Sequence, residues 1–371
     1  MALRGLTRAG LGGPWAWGQI PVLVIVALLL AAPAILSGSN VALLTEILIW
    51  ALFAISYNLL LGYTGLVSLG HAAFLGIGGY AVALILVKTG VPFVIAFAAA
   101  PVAAAAAALV MGILALRLTA IYFALFTLAV GQIAWSVSQK WVSFTGGDNG
   151  LGGFASSIPN LISSRQEFYF FTLSVVAVAT GILFLVVNSP FGFTLRAIRE
   201  NRNRAEFMGI PVRRYQLLAF VISGLFAGLA GALLVTQFRF VHPENLFWLR
   251  SAEVLLMALL GGVHLFWGPA LGAGVFIYLD DQVRAHPYDN LALTGLALGG
   301  LALVVVVLLP FGLGGLIQFV GRVTGAVRRA DAALPPDRHP WALRWRTALT
   351  TVGQNLGIGI TRSGKRDDSE S

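Results

Sequence analysis

The sequence predicts an all-α polytopic membrane protein, and three observations predict it. Of 371 residues, 58% are hydrophobic and 11% charged, so the whole chain, and not one segment, partitions like a lipid-soluble polypeptide. Mean hydropathy is +0.86. Apolar runs of the ~20 residues that a crossing requires occupy most of the first 310 positions, which leaves no room for a soluble domain of ordinary size.

Taken in order, Arg4 and Arg8 precede an apolar run from Ile20 to Ala32. Because many further runs follow, this start is expected to be an uncleaved first helix behind a cytoplasmic segment 1–20. Apolar runs lie near 21–36, 41–61, 65–87, 91–116, 118–139, 168–187 and 215–238. With the N-terminus in the cytoplasm, six crossings return the chain there at 189–214, where Arg196, Arg199, Arg202, Arg204, Arg213 and Arg214 are concentrated, as the positive-inside rule requires. The region 251–281 is too long for one span and is interrupted by Gly261, Gly262, Gly268, Pro269 and Gly272, so two short helices that dip and return near His264 are expected. A last span at 290–309 then delivers Arg322, Arg328 and Arg329 to the cytoplasm, giving about ten transmembrane helices or half-helices. The transmembrane domain is expected over 21–315, with a largely disordered cytoplasmic tail over 316–371.

A net charge of +9 is explained by lysine and arginine held in cytoplasmic loops beside anionic lipid, so membrane lipid is an expected partner and nucleic acid is not. The absence of cysteine excludes disulfides, thiolate metal sites and a cysteine nucleophile. The histidines are scattered, with no HExxH and no GxSxG elbow, so no enzymatic constellation emerges, and no metal or cofactor is expected in the chain. The run from Gly359 to Lys365 falls short of a phosphate-binding loop because Arg366 follows the lysine and no strand precedes it.

The segment NLLLGYTGLVSLGHAAFLGIGGY, from Asn58 to Tyr80, is apolar enough for a bilayer yet crowded with glycine and polar groups. Small residues let helix backbones approach, and polar groups at membrane depth face other helices or a wet cavity. Glu46, Asn58, Gly62, Gly65, Ser68, Gly70, His71 and Gly76 are therefore candidates for the wall of a translocation pathway, ordinary small-residue packing being the alternative. Similar stripes occur at Gly224, Gly228 and Ala232 and at Gly295 and Gly299. The TGGDNGLGG run from Thr145 reads as an ordered turn-rich loop.

Within 189–214, Pro190 and Gly192 make a turn, and a helix would gather Phe191, Leu195, Ile198, Ala205 and Met208 on one side, with Arg196 and Arg199 across from it. Gly209 and Pro211 would end it. The segment is either a lipid-binding surface helix or a coupling element docked on a cytoplasmic partner.

Five blocks carry a family resemblance: 58–80, LRLTAIYFALFTLAVGQI at 116–133, TGGDNGL at 145–151, the stretch 189–233, and LLGGVHLFWGPALGA at 259–273. Together they resemble LivM-type permease subunits of ABC importers for branched-chain amino acids, over nearly everything from about 41 to 315. Val67 stands where that family often has glutamine, and Thr119-Ala120 where it often has Arg-Gly, which leaves the substrate open to urea, short amides or aromatic acids. The resemblance implies the ABC importer permease fold, a multi-pass place in the bacterial inner membrane, a second, LivH-like permease subunit, two cytoplasmic ATPases that use ATP and Mg, and an extracytoplasmic binding protein. The 189–214 loop would be its ATPase-coupling segment, through Leu195, Arg196, Ile198, Arg199, Glu206, Met208 and Gly209. Selectivity is expected mainly in the binding protein, because few polar groups at membrane depth are evident. An ion-coupled secondary transporter would have to use Glu46 and His71.

Overall fold

The computed structural model describes residues 28–159, 162, 164–285 and 300. The N-terminal segment, the final span, the glycines at 295 and 299, and the tail fall outside them. Six described helices are long and apolar enough to cross a bilayer. A helix over 28–35 (α1) leads into α2 (Gly38–Thr64), followed by α3 (Ala72–Thr89), α4 (Phe93–Ala115), α5 (Ala120–Lys140) and the short α6 (Val142–Thr145). Then come α7 (Arg165–Val187), α8 (Pro190–Glu200), α9 (Arg202–Phe207), α10 (Val212–Phe238), α11 (Trp248–Gly261) and α12 (Gly268–Ala285).

α2 and α10 are the most buried of the long helices, and α3, α4 and α10 are drawn together by small residues. Ala100, Ala104 and Ala108 recur every four residues along α4 and are fully buried. A Cβ at Gly224 or Gly228 of α10 would run into Ala108 or Ala104, and one at Gly231 would overlap the carbonyl of Leu75 in α3. These helices touch backbone to backbone, the arrangement that replaces the hydrophobic effect as the source of association inside lipid.

Two expectations about breaks meet different outcomes. The region 251–281 is broken as expected: α11 stops at Gly261, Gly262 takes φ 100, and α12 begins at Gly268. The span drawn at 65–87 is not one helix. α2 ends where Gly65 adopts a left-handed φ of 75 and turns its N–H back to the Leu60 carbonyl, and residues 65–71 stay non-helical until α3 begins. Backbone groups freed there are met by distant hydroxyls, since Leu69 N–H donates to Thr127 Oγ1 at 3.1 Å and Ala72 N–H to Ser251 Oγ at 2.8 Å. α7 starts earlier than expected because Ser164 and Glu167 form a capping box.

The 145–153 loop is ordered by glycine. Gly146, Gly147 and Gly150 all have positive φ, and Leu151 pairs with Val241 as an isolated antiparallel bridge, 2.9 and 3.0 Å. The loop is thereby tied to the segment that follows α10.

Candidate functional site

α2 has 27 residues, about 40 Å of helix, and its two ends serve different structures. Its C-terminal end meets α8. The Arg199 guanidinium donates to the Gly62 carbonyl and lies 3.4 Å from His264 Nδ1 in the α11–α12 bend. Burial draws the Arg199 guanidinium below its ordinary range, against an opposing pull from Glu200 and Tyr63, and the group stays charged. Arg196 donates to the Val187 carbonyl at the end of α7, 3.1 Å, and stands over the Tyr63 ring at 5.2 Å. Two arginines thus cap the C-terminal carbonyls of two membrane helices, where the partial negative charge of the helix dipole favours them.

This placement corrects the expected coupling face. Asn201 is extended (φ −156) and its side chain caps α9 by accepting from Arg204 N–H, so the segment is two short helices and not one. Leu195 and Ile198, expected to face a partner, are buried within the chain: Leu195 in the main core, and Ile198 against Ala205 and Val212. Arg196 and Arg199, expected across from that stripe, reach back to carbonyls at the ends of α7 and α2, Arg199 remaining exposed to one side. Phe207 and Met208 are what the surface presents, at 91% and 63% exposure, with Phe193 also exposed. Glu206 pairs with Arg202 at 3.2 Å, and Gly209 follows in the left-handed region at φ 83.

Within this chain the glycine-rich segment is a packed junction. His71 is fully buried, ringed by Phe53, Tyr57 and Phe74 with centroids at 5.7, 5.1 and 5.2 Å, and its Nε2 lies 3.1 Å from Ser223 Oγ. Ser223 also donates to the Ser56 carbonyl, 2.5 Å. Asn58 donates to the Leu265 carbonyl at 3.4 Å, and a Cβ on Gly62 would overlap Asn58 and the Val263 carbonyl, so the α11–α12 bend lies directly on α2. Gly70 is filled by the Thr127 carbonyl of α5 and Gly76 by the Leu246 side chain, while Ser68 is buried and Gly65 is exposed beside Arg199.

Of the expected pathway residues, Glu46 borders a cavity of about 430 Å³ among the described residues. It lies at the opposite end from α8, between the first half of α2, the end of α10, the start of α11 and the second half of α12. Arg250 and Glu253, one turn apart on α11, pair at 2.8 Å on its wall, and Arg250 stands 5.6 Å from the Trp50 ring. Trp50 and Arg250 were not legible as site residues; the one signal was a charged i,i+3 pair just before an apolar run.

α3 and α11 both begin at the junction, where Ala72 N–H meets Ser251 Oγ, and they run from it in opposite directions. α11 heads to the bend beside α8. α3 ends near the loop after α5, where Lys88 donates to the Ser143 carbonyl at 3.2 Å. His71 packs on Phe53, near the middle of α2, so both half-helices start at mid-bundle depth, just below the cavity.

A family model described as "Branched-chain amino acid transport system / permease component" matches residues 39–307. The chain is 29% identical over 320 residues to the high-affinity branched-chain amino acid transport system permease protein LivM of Escherichia coli, covering 78% of this chain and 74% of that one. Salmonella typhimurium LivM is 27% identical, covering 79% and 74%. A probable branched-chain amino acid transport permease protein LivH from Methanocaldococcus jannaschii is 26% identical, covering 50% and 56%. No solved structure matches. Half-helices meeting at depth, an arginine-clamped cap at one end and a cavity at the other are thus features of a multi-pass chain that belongs to the family of permease components of branched-chain amino acid transport systems.

Proposed function

We propose that this chain is one permease subunit of an ABC importer that carries branched-chain amino acids across the bacterial plasma membrane. A second, LivH-like permease subunit completes the pathway, a binding protein delivers substrate at the cavity end, and two ATPases dock at the α8–α9 end. ATP and Mg are used by those ATPases, and this chain is not itself an enzyme. Both termini and the α8–α9 cap lie in the cytoplasm, which agrees with the arginines of 189–214.

The observation that carries this reading is the clamp. Arg196 and Arg199 tie α8 to the ends of α7 and α2 and to the α11–α12 bend, so displacement of the cap moves three membrane elements together. Nucleotide binding closes the ATPases, the cap follows, and the half-helices below it shift between outward and inward states. Phe207 and Met208 are the apolar anchors for an ATPase groove, with exposed Arg204 beside them to orient it.

The test is ATP-driven L-leucine uptake into proteoliposomes holding the whole importer. Phe207→Asp with Met208→Asp places two charges against an apolar groove, and uptake is expected to fall by about 30- to 1000-fold, the scale of two lost anchors of ~1–2 kcal/mol each, while the chain still inserts. Phe207→Leu with Met208→Leu keeps most uptake. Normal uptake by the double aspartate variant with ATPases bound would remove the coupling role. Uptake that follows a proton or sodium gradient without ATP would instead favour an ion-coupled carrier, a reading disfavoured by the sealed aromatic cage around His71 and its separation from the cavity that Glu46 borders.

A further inference from the structure

We propose that the shared end of α4 and α10, on the side of the α8–α9 cap, is a binding site for an anionic phospholipid, held through its phosphate by Arg117, Arg213 and Arg214. The leaflet, cytoplasmic, follows from the orientation given above; the site itself does not depend on what the importer carries.

Sorting the arginines at this end isolates it. Arg196 and Arg199 are committed to helix-end carbonyls, Arg202 is paired with Glu206, and Arg204 stands on the cap. Arg117, just past the end of α4, and Arg213 and Arg214, in the first turn of α10, are exposed and take part in no ion pair among the described residues. The three lie at one level because α4 and α10 run antiparallel: Gly228 lies against Ala104, Gly224 against Ala108, and Gly112 against Leu217 and Phe220. Carried one turn further, that register brings Arg117 beside the start of α10. Packed helices stand about 8–10 Å apart, a gap that long side chains span.

The helices that meet there offer these cations no carboxylate. Residues 47–147 and 207–243, which include all of α3, α4, α5 and α10, contain neither Asp nor Glu. On the cap, Glu206 is taken by Arg202, and Glu200 follows Arg199. Arg213 and Arg214 also stand at the positive end of the α10 dipole, with no acidic residue in that turn. Like charges gathered in this way repel one another, and an anion from outside the chain offsets them.

The surroundings select the kind of anion. Leu114 and Leu118 flank Arg117, and Leu218 lies one turn from Arg214; all three are exposed. Tyr122, in the first turn of α5, is exposed as aromatic side chains are at the level of lipid headgroups. A soluble phosphate or an acidic protein surface would leave these apolar side chains uncovered. A phospholipid lays its acyl chains on them and brings a phosphate to the guanidinium groups, whose forked donors fit it.

The chain has no cysteine, so Leu118→Cys carries a single bimane label in the full chain, with every arginine kept, in phosphatidylcholine vesicles. Each arginine beside an anionic headgroup contributes roughly fivefold, so phosphatidylglycerol with brominated acyl chains is expected to half-quench the label at a mole fraction about 100-fold below that of brominated phosphatidylcholine. In the labelled background, Arg213→Gln with Arg214→Gln should shrink the difference to about fivefold, and Arg202→Gln, which removes a cation already paired on the cap, should leave it intact. Arg117→Gln alone, expected to lower it about fivefold, gives the same reading should the double variant fail to insert. Inorganic phosphate at matched ionic strength should not reverse the quenching. Both leaflets of the vesicle are alike, so an inverted orientation would not hide the result, and failure here leaves the importer reading standing. Equal quenching by the two lipids, an unchanged difference in the arginine variants, or reversal by inorganic phosphate would each overturn the site. An unchanged difference with loss of the ATPases from the full importer would make the patch a protein contact instead.

Discussion

Gly209 is the residue whose identity the backbone dictates most plainly. Its N–H returns to the Glu206 carbonyl at 3.0 Å and that of Ile210 to Ala205 at 3.1 Å, the paired bonds that close a helix on a left-handed residue. A Cβ there would meet nothing within 4 Å, so crowding is not the obstacle; φ is. Gly209→Val is expected to cost about 1–2 kcal/mol and to loosen the approach of α9 to α10, with Gly209→Asn costing less because asparagine tolerates that region. Limited proteolysis at 201–211 in the two variants checks the order. This residue was legible, since a glycine followed by proline after a helical stretch has few other readings. Leu195 and Ile198 were not: a stripe at helical spacing says that a face is covered and is silent on whether the cover is the same chain or another.

At the scale of elements, backbone contact between α3 and α10 makes a sharper demand. Gly231 sits against the Leu75 carbonyl and Gly79, whereas Gly181 of α7 has open space around it. Gly231→Ala is expected to destabilise the bundle by about 1–3 kcal/mol and Gly181→Ala to be neutral or slightly stabilising. Thermal unfolding of the detergent-purified chains, read by loss of monodispersity, distinguishes them. The spans were legible because a run of apolar residues has no other soluble fate, and the α11–α12 break because glycine and proline crowd it. The non-helical 65–71 stretch was hidden: its composition matches a span, and the hydroxyls that let it unwind belong to Thr127 and Ser251, far along the chain. The cavity was hidden for the same reason, as Glu46, Arg250 and Asp280 meet only after α2, α11 and α12 have packed.

For the molecule as a whole, the two ends should face different compartments. Asn203→Cys on α9 and Asn149→Cys in the glycine loop are both exposed positions in a chain otherwise free of thiols. In intact cells an impermeant maleimide is expected to modify Asn149→Cys and to spare Asn203→Cys, with the pattern reversed in inside-out vesicles. The opposite pattern would invert the assignment of cap and cavity, and modification of both from one side would refute it. The junction between those ends carries a cost paid during synthesis. Leu69 and Ala72 expose amide groups in an apolar setting as soon as they leave the ribosome, and the acceptor for Ala72 lies 179 residues later. At ordinary elongation speeds that interval is roughly 10–35 s. Throughout it the glycine-rich segment cannot settle in the hydrocarbon as an unwound strand, so the nascent chain must hold it as a provisional helix, at the interface or inside the insertion machinery. The half-helix geometry is therefore a late event, set when α11 arrives, and the order of biogenesis at this junction runs opposite to the order of the sequence.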